Sequence, residues 1–401
     1  MISSLSKREL VAMCELMSRE VPQDKFQQML QSVRKAPTPV LALESEVDEK
    51  AKKKTKHEMD FSKYPFQQVA FWVAYFGHEY QGLQCANPNS LVDDGTVEYK
   101  LFQAFRKVKL ISEDATALDS FSRCGRTDRG VSAIGQVISL SVRSNLPGKP
   151  EINYADMLNN SLPQDIIVLA TCKVDPNTFN ARFTCTSRTY RYFIRNPTNV
   201  LNLTKMQQAC TLLQGTHDFR NFCKIDLSNT RAFVRRIDTC QISPDSKYVE
   251  IKGSGFLWHQ IRILMAVLFH VGAGLEQPEI VSELLDITKC PGRPSFTMAE
   301  DLPLVLYASE YPSLDWQFSS KSLNRVTNSL ERRLGREEIQ CEMTRTFLAT
   351  VKSCNHGDNE LIEQVVDLDH DEIGTKHKRN KHVKFMHRQQ CKSVQERMDE
   401  E

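Results

Sequence analysis

Apolar and polar residues alternate over several short stretches of this 401-residue chain, and each of these stretches predicts a β-strand. The first lies at 66–77, which is rich in β-branched and aromatic residues and ends in glycine. At 135–142, Ile138, Leu140 and Val142 alternate with serines, which predicts a strand with one less buried face. Further strands are predicted over 166–173, 189–194, 233–242 and 248–253.

Segments whose apolar residues recur at helical spacing lie between these strands. Val97, Leu101 and Phe105 fall on one stripe of a helix predicted over 97–108. Similar patterns predict helices over 153–158, 204–213, 259–271 and 279–285. Because strands and helices interleave in two halves, we predict an α+β fold, with two α/β lobes around a mixed, largely antiparallel sheet.

Weak or broken patterns suggest the domain limits. We predict a short helix and lysine-rich linker over 1–64, an N-terminal lobe over 65–175, a C-terminal lobe over 176–315 and an extension over 316–401. The extension contains an exposed amphipathic helix at 323–336. From residue 369 onward it is polar, and we expect this tail to be disordered until RNA or another lobe holds it.

The distribution of apolar, charged and cysteine residues argues against a membrane-spanning or secreted protein. The longest apolar run, 261–271, is interrupted by Arg262 and His270, so no segment reaches the roughly 20 apolar residues of a membrane-spanning helix. The N-terminus carries both acids and bases, unlike a secretory or transit peptide, which predicts a location in the nucleus and cytoplasm. The 12 cysteines form no CxxC motif, so we expect reduced, mostly buried thiols and no structural zinc.

The formal net charge is only +2, so any nucleic-acid site has to be a local patch. Basic residues cluster at 50–56, at Arg231, Arg235 and Arg236, and at 376–388. Each run taken alone is also typical of a solvated face or a flexible tail. The histidines of the last run have basic, polar neighbours, which favours RNA contacts over a metal site.

The stretch most informative about chemistry is 122–140, SRCGRTDRGVSAIGQVISL. It places Asp128 in a turn between Arg126 and Arg129, with Gly125 and Gly130 giving the backbone freedom on either side. Nearby cations favour an ionised carboxylate, which suits a nucleophile or a charge stabiliser better than a general acid. From composition alone, a solvated turn remains the alternative.

The segment GRTDRGVSA in this stretch resembles the GRTDxGVxA signature of TruA-class tRNA pseudouridine synthases. The resemblance implies a pseudouridine synthase fold with a central RNA-binding cleft, and it gives Asp128 the role of catalytic nucleophile. Two further blocks match in order, at 74–84 with the pattern YxGxxYxGxQ and at 179–193, where Tyr190 takes the place of the active-site tyrosine. Without the resemblance, a strand residue packed in the core is the favoured interpretation of Tyr190, because aromatic residues are enriched in strands.

A last block, GFLWHQIRILMAVLFHVG at 255–272, predicts a buried helix with Arg262 on an apolar face. A buried arginine needs a partner, and the resemblance implies that this partner is Asp128. An arginine that extends to solvent from a helix end is the alternative. The shorter block at 215–222 also resembles the family, and we expect a structural turn there.

The resemblance also implies which residues contact RNA. Arg126 is expected to position the flipped nucleotide or its phosphate, because arginine binds phosphate in bidentate geometry, and Arg129 is expected to make a weaker contact. Arg188, Arg191 and His259 are further candidate RNA-binding residues. The implied partners are tRNA and a second copy of the chain in a homodimer. No cofactor is implied, and the chain contains neither GxGxxG nor a P-loop lysine motif.

Residues 124–125, 131–133 and 387–398 resemble the eukaryotic branch that acts on the anticodon stem-loop at tRNA positions 38 and 39, although Gln389 stands where that branch usually has proline. A synthase for another tRNA position is one alternative. A non-catalytic RNA-binding protein is another, and the joint presence of Asp128, Tyr190 and Arg262 argues against it. The sequence leaves open whether Asp128 attacks the sugar covalently or deprotonates it to a glycal-like intermediate.

Overall fold

A ten-stranded sheet organises the chain in the computed structural model, which describes residues 59–87, 93–113, 118, 120–195, 200–225, 233–354 and 382–398. The predicted N-terminal helix and the basic run at 50–56 lie outside the described residues. Met1–Glu58 and Met59–Glu401 form separate units, and everything described here belongs to the second. The lobe limits near residues 175 and 315 stay a prediction.

The strands are β1 (Phe66–Tyr75), β2 (Ser122–Arg123), β3 (Ser132–Arg143), β4 (Ile166–Lys173), β5 (Ser187–Phe193), β6 (Gly215–Asp218), β7 (Val234–Ile242), β8 (Tyr248–Gly253), β9 (Leu304–Glu310) and β10 (Gln317–Phe318). Their order is β10-β4-β1-β3-β9-β5-β8-β7-β6, with β2 paired to β3. The β3–β9 pair is parallel and the other described pairs are antiparallel. The predicted α+β fold with a mixed, largely antiparallel sheet is confirmed.

The helices are α1 (Val97–Lys107), α2 (Tyr154–Asn159), α3 (Leu203–Leu212), α4 (Gln260–Gly272), α5 (Ile280–Leu285), α6 (Ser320–Cys354) and α7 (Val394–Met398). The first five lie within one residue of their predicted limits. Local chemistry explains where α1 begins, because the Thr96 hydroxyl caps it by accepting a hydrogen bond from the Tyr99 N–H. No described helix combines the length and apolar character that crossing a membrane requires.

Two expectations about local structure are wrong. The block at 215–222 begins with strand β6 instead of forming only a turn. In β3, Ser139 is fully buried and bonds to the Gln68 side chain at 2.8 Å, so the predicted less buried face is covered at this position. The exposed helix expected at 323–336 is present, but it is part of the much longer α6.

Residues 382–398 of the tail pack on the segments that flank α5, which fits the expectation that another part of the fold holds the tail. Phe385 is fully buried and stacks on Phe296 with ring centroids 4.6 Å apart. The buried Glu276 carboxylate accepts the Phe385 N–H at 2.8 Å and contacts His382 at 3.0 Å. An apolar anchor and a satisfied buried carboxylate therefore both stabilise the contact.

Two large hydrophobic clusters fill the described core, one around α1, β1 and β3 and the other around α3 and α4. Tyr190 packs against both clusters, which places the predicted active-site tyrosine at the boundary between them. Eleven cysteines fall in the described residues, all as free thiols, and eight of these are buried.

Candidate active site

The loop between β2 and β3 carries Asp128. Contacts with the end of β1 and the segment after it hold this loop in place. A 2.7 Å hydrogen bond joins the buried Tyr75 hydroxyl to the Thr127 hydroxyl. The Thr127 carbonyl accepts the Leu83 N–H at 3.2 Å, and the Gly130 N–H donates to the Tyr80 carbonyl at 3.2 Å. The backbone on either side of Asp128 is therefore fixed, while its carboxylate remains partly exposed.

Close backbone packing explains the glycines of the YxGxxYxGxQ block. A Cβ on Gly77 would lie 2.0 Å from the Val131 carbonyl oxygen, and one on Gly82 would lie 3.0 Å from the Thr127 carbonyl oxygen. Gly82 also has a φ of 102°, which side chains rarely adopt. The block therefore shapes the surface on which the Asp128 loop rests.

Sheet register brings Tyr190 to the same level as this loop. Ala133, at the start of β3, pairs with Leu306 of β9, and Leu306 pairs in turn with Tyr190 of β5. The Tyr190 ring packs edge-on against Phe256 at 5.3 Å. Burial raises the pKa of the Tyr190 hydroxyl well above its usual value, and it stays protonated at neutral pH. The register thus places Tyr190 one strand beyond β9 from the end of the Asp128 loop, and its catalytic role stays a prediction.

His259 contacts the Asp128 carboxylate, with its Nε2 lying 3.6 Å from Asp128 Oδ2. Its backbone is left-handed, with a φ of 60°, at the residue that precedes α4. Non-glycine residues adopt this conformation at a cost of about 1 to 3 kcal/mol, and functional sites are where such strain concentrates. Burial lowers the pKa of His259 below 6.5 despite the opposing effect of Asp128, so the imidazole is mainly neutral at neutral pH.

The predicted ion pair between Arg262 and Asp128 is wrong in this structure. The Arg262 Nε donates to the Ala299 carbonyl at 2.6 Å, and its Nη1 lies 3.8 Å from Asp301 Oδ2. The Ala299 N–H also donates to the Arg262 carbonyl at 3.1 Å. The segment before β9 therefore supplies a carbonyl and a carboxylate that satisfy the guanidinium.

Asp301 links Arg262 to the Asp128 loop. A Cβ added to Gly130 would lie 2.7 Å from Asp301 Oδ1, so that carboxylate packs directly on the backbone two residues after Asp128. Arg262 thus reaches the loop through Asp301 and not through Asp128 itself. The sequence did not single out Asp301, because it lies outside every matched block.

The structure places the predicted RNA-binding arginines in different surroundings. Arg126 and Arg129 are exposed on both sides of Asp128, where they can meet a polyanion. The Arg188 guanidinium donates to the Cys124 carbonyl at 2.8 Å and to the Ser254 carbonyl at 2.9 Å, so it holds the loop in place.

Arg191 lies on the opposite face of β5 from Tyr190, because side chains alternate along a strand. Its guanidinium is 3.4 Å from the centre of the Tyr307 ring, 4.3 Å from that of Tyr248 and paired with Glu250 at 2.8 Å. The structure does not bring Arg191 to the site.

The described residues contain no group of three or more histidine, cysteine, aspartate or glutamate side chains placed to hold a metal ion. The chemistry available within this part of the chain is that of a partly exposed carboxylate, a neutral imidazole, a partly buried phenol and flanking guanidinium groups.

Comparison of the sequence with known proteins finds relatives of one family. A family model described as tRNA pseudouridine synthase matches residues 209–312. The tRNA pseudouridine(38/39) synthase of Saccharomyces cerevisiae is 40% identical over 331 residues, covering 78% of this chain and 74% of that protein. The Homo sapiens protein of the same name is 38% identical, covering 74% of this chain and 66% of that protein.

A more distant relative, tRNA pseudouridine synthase A of Methanosarcina mazei, is 30% identical and covers 69% of this chain and 97% of that protein. A solved pseudouridylate synthase matches weakly, with a TM-score of 0.26 and 11% identity over 66% of this chain and 74% of that one, and carries no argument about the fold. The resemblance seen in the GRTDRGVSA segment is confirmed by the sequence relatives, and the chain belongs to the TruA-class tRNA pseudouridine synthases, a family of isomerases.

Proposed function

We propose that this chain isomerises uridine to pseudouridine in the anticodon stem-loop of tRNA, at positions 38 and 39, with Asp128 as the nucleophile. The observation that carries the proposal is the loop that presents a partly exposed Asp128 carboxylate between two exposed arginines, beside His259. The position of the target uridine rests on the names of the relatives from Saccharomyces cerevisiae and Homo sapiens.

The reaction breaks the bond from N1 of uracil to C1′ of ribose and forms a bond from C5 to C1′, so C5 loses a proton and N1 gains one. Asp128 either attacks C1′ or removes a ribose proton, and both routes need its ionised form. The target base is reached by swinging the nucleotide out of its stack, which costs a few kcal/mol. Tyr190 offers a ring face on which the flipped base can stack.

Basic and aromatic side chains near the loop support an RNA-binding role. Trp258 is 46% exposed beside His259, and the Lys224 ammonium lies 4.2 Å from its ring centre. A cleft of about 440 Å³ is lined in part by Arg235, Arg236 and Ser254. Cations that line the approach would offset the cost of flipping through phosphate contacts.

Mapping the product tests the proposed position. Purified protein incubated with unmodified tRNA transcripts is expected to form pseudouridine at positions 38 and 39, as detected by carbodiimide-dependent stops in reverse transcription. Transcripts with cytidine at both positions are the matched control and should remain unmodified. Pseudouridine confined to a site outside the anticodon arm would overturn the assignment while leaving the family unchanged.

We also propose that the protein acts as a homodimer. Four exposed apolar residues recur every four positions on α6, which aligns them on one face: Ile339, Met343, Phe347 and Val351. A second copy offers the same stripe, and a two-fold axis would bury both. Light scattering should give twice the monomer mass for the wild type and the monomer mass for Phe347→Glu. A monomeric wild type would refute the dimer.

A further inference from the structure

Phe183 exposes its ring more than any other large apolar side chain in the described part of the chain, with 80% of its surface accessible. It belongs to none of the hydrophobic clusters there. The Arg182 guanidinium lies 5.6 Å from its ring centre. Single exposed apolar residues are common on protein surfaces, so exposure alone does not indicate a role.

The turn that carries Phe183 is rigid, and this distinguishes it from an ordinary surface position. The Asn180 side chain accepts the Phe183 N–H at 3.3 Å, and the Asn180 carbonyl accepts the Thr184 N–H at 3.0 Å. The Tyr311 hydroxyl donates to the Ala181 carbonyl at 2.6 Å. A fixed backbone that holds an aromatic ring in water is pre-organised for a contact, because little conformational entropy remains to be lost on binding.

The same turn is joined to the Asp128 loop. One Arg188 nitrogen, Nη2, donates both to the Arg182 carbonyl at 3.1 Å and to the Cys124 carbonyl at 2.8 Å. Cys124 is four residues before Asp128 in the same loop. The guanidinium therefore fixes the Phe183 turn beside the catalytic loop, and the exposed ring lies at the edge of the site.

We propose that Phe183 is a stacking platform for a nucleobase of the RNA substrate that neighbours the flipped uridine. The inference rests on the proposed function and deepens it. When a nucleotide leaves its stack, the adjacent base loses a stacking surface, and an exposed aromatic ring replaces that surface for any base. Arg182, beside the ring, adds a positive charge suited to the adjoining phosphate.

Substitution of the ring tests the platform. Phe183→Ala is expected to raise the KM for tRNA about 5- to 150-fold, the range reported for loss of one stacked base, with kcat changed less than about twofold. Phe183→Trp and Phe183→Tyr keep a ring and should retain a KM near that of the wild type. Phe66→Ala, which removes another exposed phenylalanine at the start of β1, is the control and should leave KM unchanged.

A direct readout of stacking uses 2-aminopurine placed next to the target uridine in a stem-loop RNA. Fluorescence should stay quenched on binding to Asp128→Asn, which holds the RNA without turnover, and should rise on binding to Asp128→Asn/Phe183→Ala, where the base has no ring to stack on. Equal KM values for Phe183→Ala and wild type, together with unchanged quenching, would overturn the platform. An inactive wild type would instead overturn the proposed function, so the two failures are distinguishable.

Discussion

Asp128→Asn should release tritium from tRNA labelled at C5 of uridine at least about 10⁴-fold more slowly than the wild type, as is typical when a nucleophile is removed. Asparagine keeps the size of the side chain but neither attacks C1′ nor accepts a ribose proton. The loop itself should persist, because its bracing contacts come from Thr127 and Gly130. Binding of tRNA, measured by filter retention, should therefore change little.

The matched control is Asp245→Asn, which alters an exposed carboxylate in the turn between β7 and β8. Its tritium release should equal that of the wild type. Equal release from Asp128→Asn and the wild type would eliminate Asp128 as the nucleophile. It would also favour the alternative that pseudouridine formation belongs to a contaminating enzyme and that this chain only binds RNA.

The sequence predicted the parts of the fold and site that depend on local pattern. Strands β1, β4 and β8 follow from alternation and composition, and α4 follows from a long apolar stretch. The GRTDRGVSA segment located Asp128, because its glycines and its neighbours in the chain impose the turn. Gly77 and Gly82 were singled out by resemblance, and only the structure gives their reason, which is close backbone packing against that turn.

Features set by contacts between distant segments were not predictable. Whether Arg262 reaches Asp128 depends on the segment before β9, which supplies Asp301 and the Ala299 carbonyl from almost 40 positions away in the chain. The rigidity around Phe183 depends on Tyr311. No spacing along the chain encodes these contacts, because β9 meets the end of the Asp128 loop through its parallel pair with β3 and the Phe183 turn through its antiparallel pair with β5. Location in the nucleus and cytoplasm stays a prediction.

Arg262→Met is expected to lower kcat about 10²-fold, the loss that a displacement of a catalytic group by about 1 Å can cause. Arg262 is 12% exposed, and its charge lies between the segment before β9 and the Asp128 loop. Removal leaves the Asp301 carboxylate packed on Gly130 without its cation. Arg262→Lys keeps the charge but loses the planar group, so kcat should recover only in part.

Single-turnover tritium release measures this effect on the chemical step, and thermal unfolding separates it from loss of the fold. Arg325→Met is the control, because it removes an arginine that pairs with Asp156 at 2.8 Å between α6 and α2. Asp301→Asn should reduce kcat less than Arg262→Met does, since the Ala299 carbonyl still holds Nε. If Arg262→Met turned over at the rate of the wild type, the guanidinium would be structural, and Asp128 would act without help from α4.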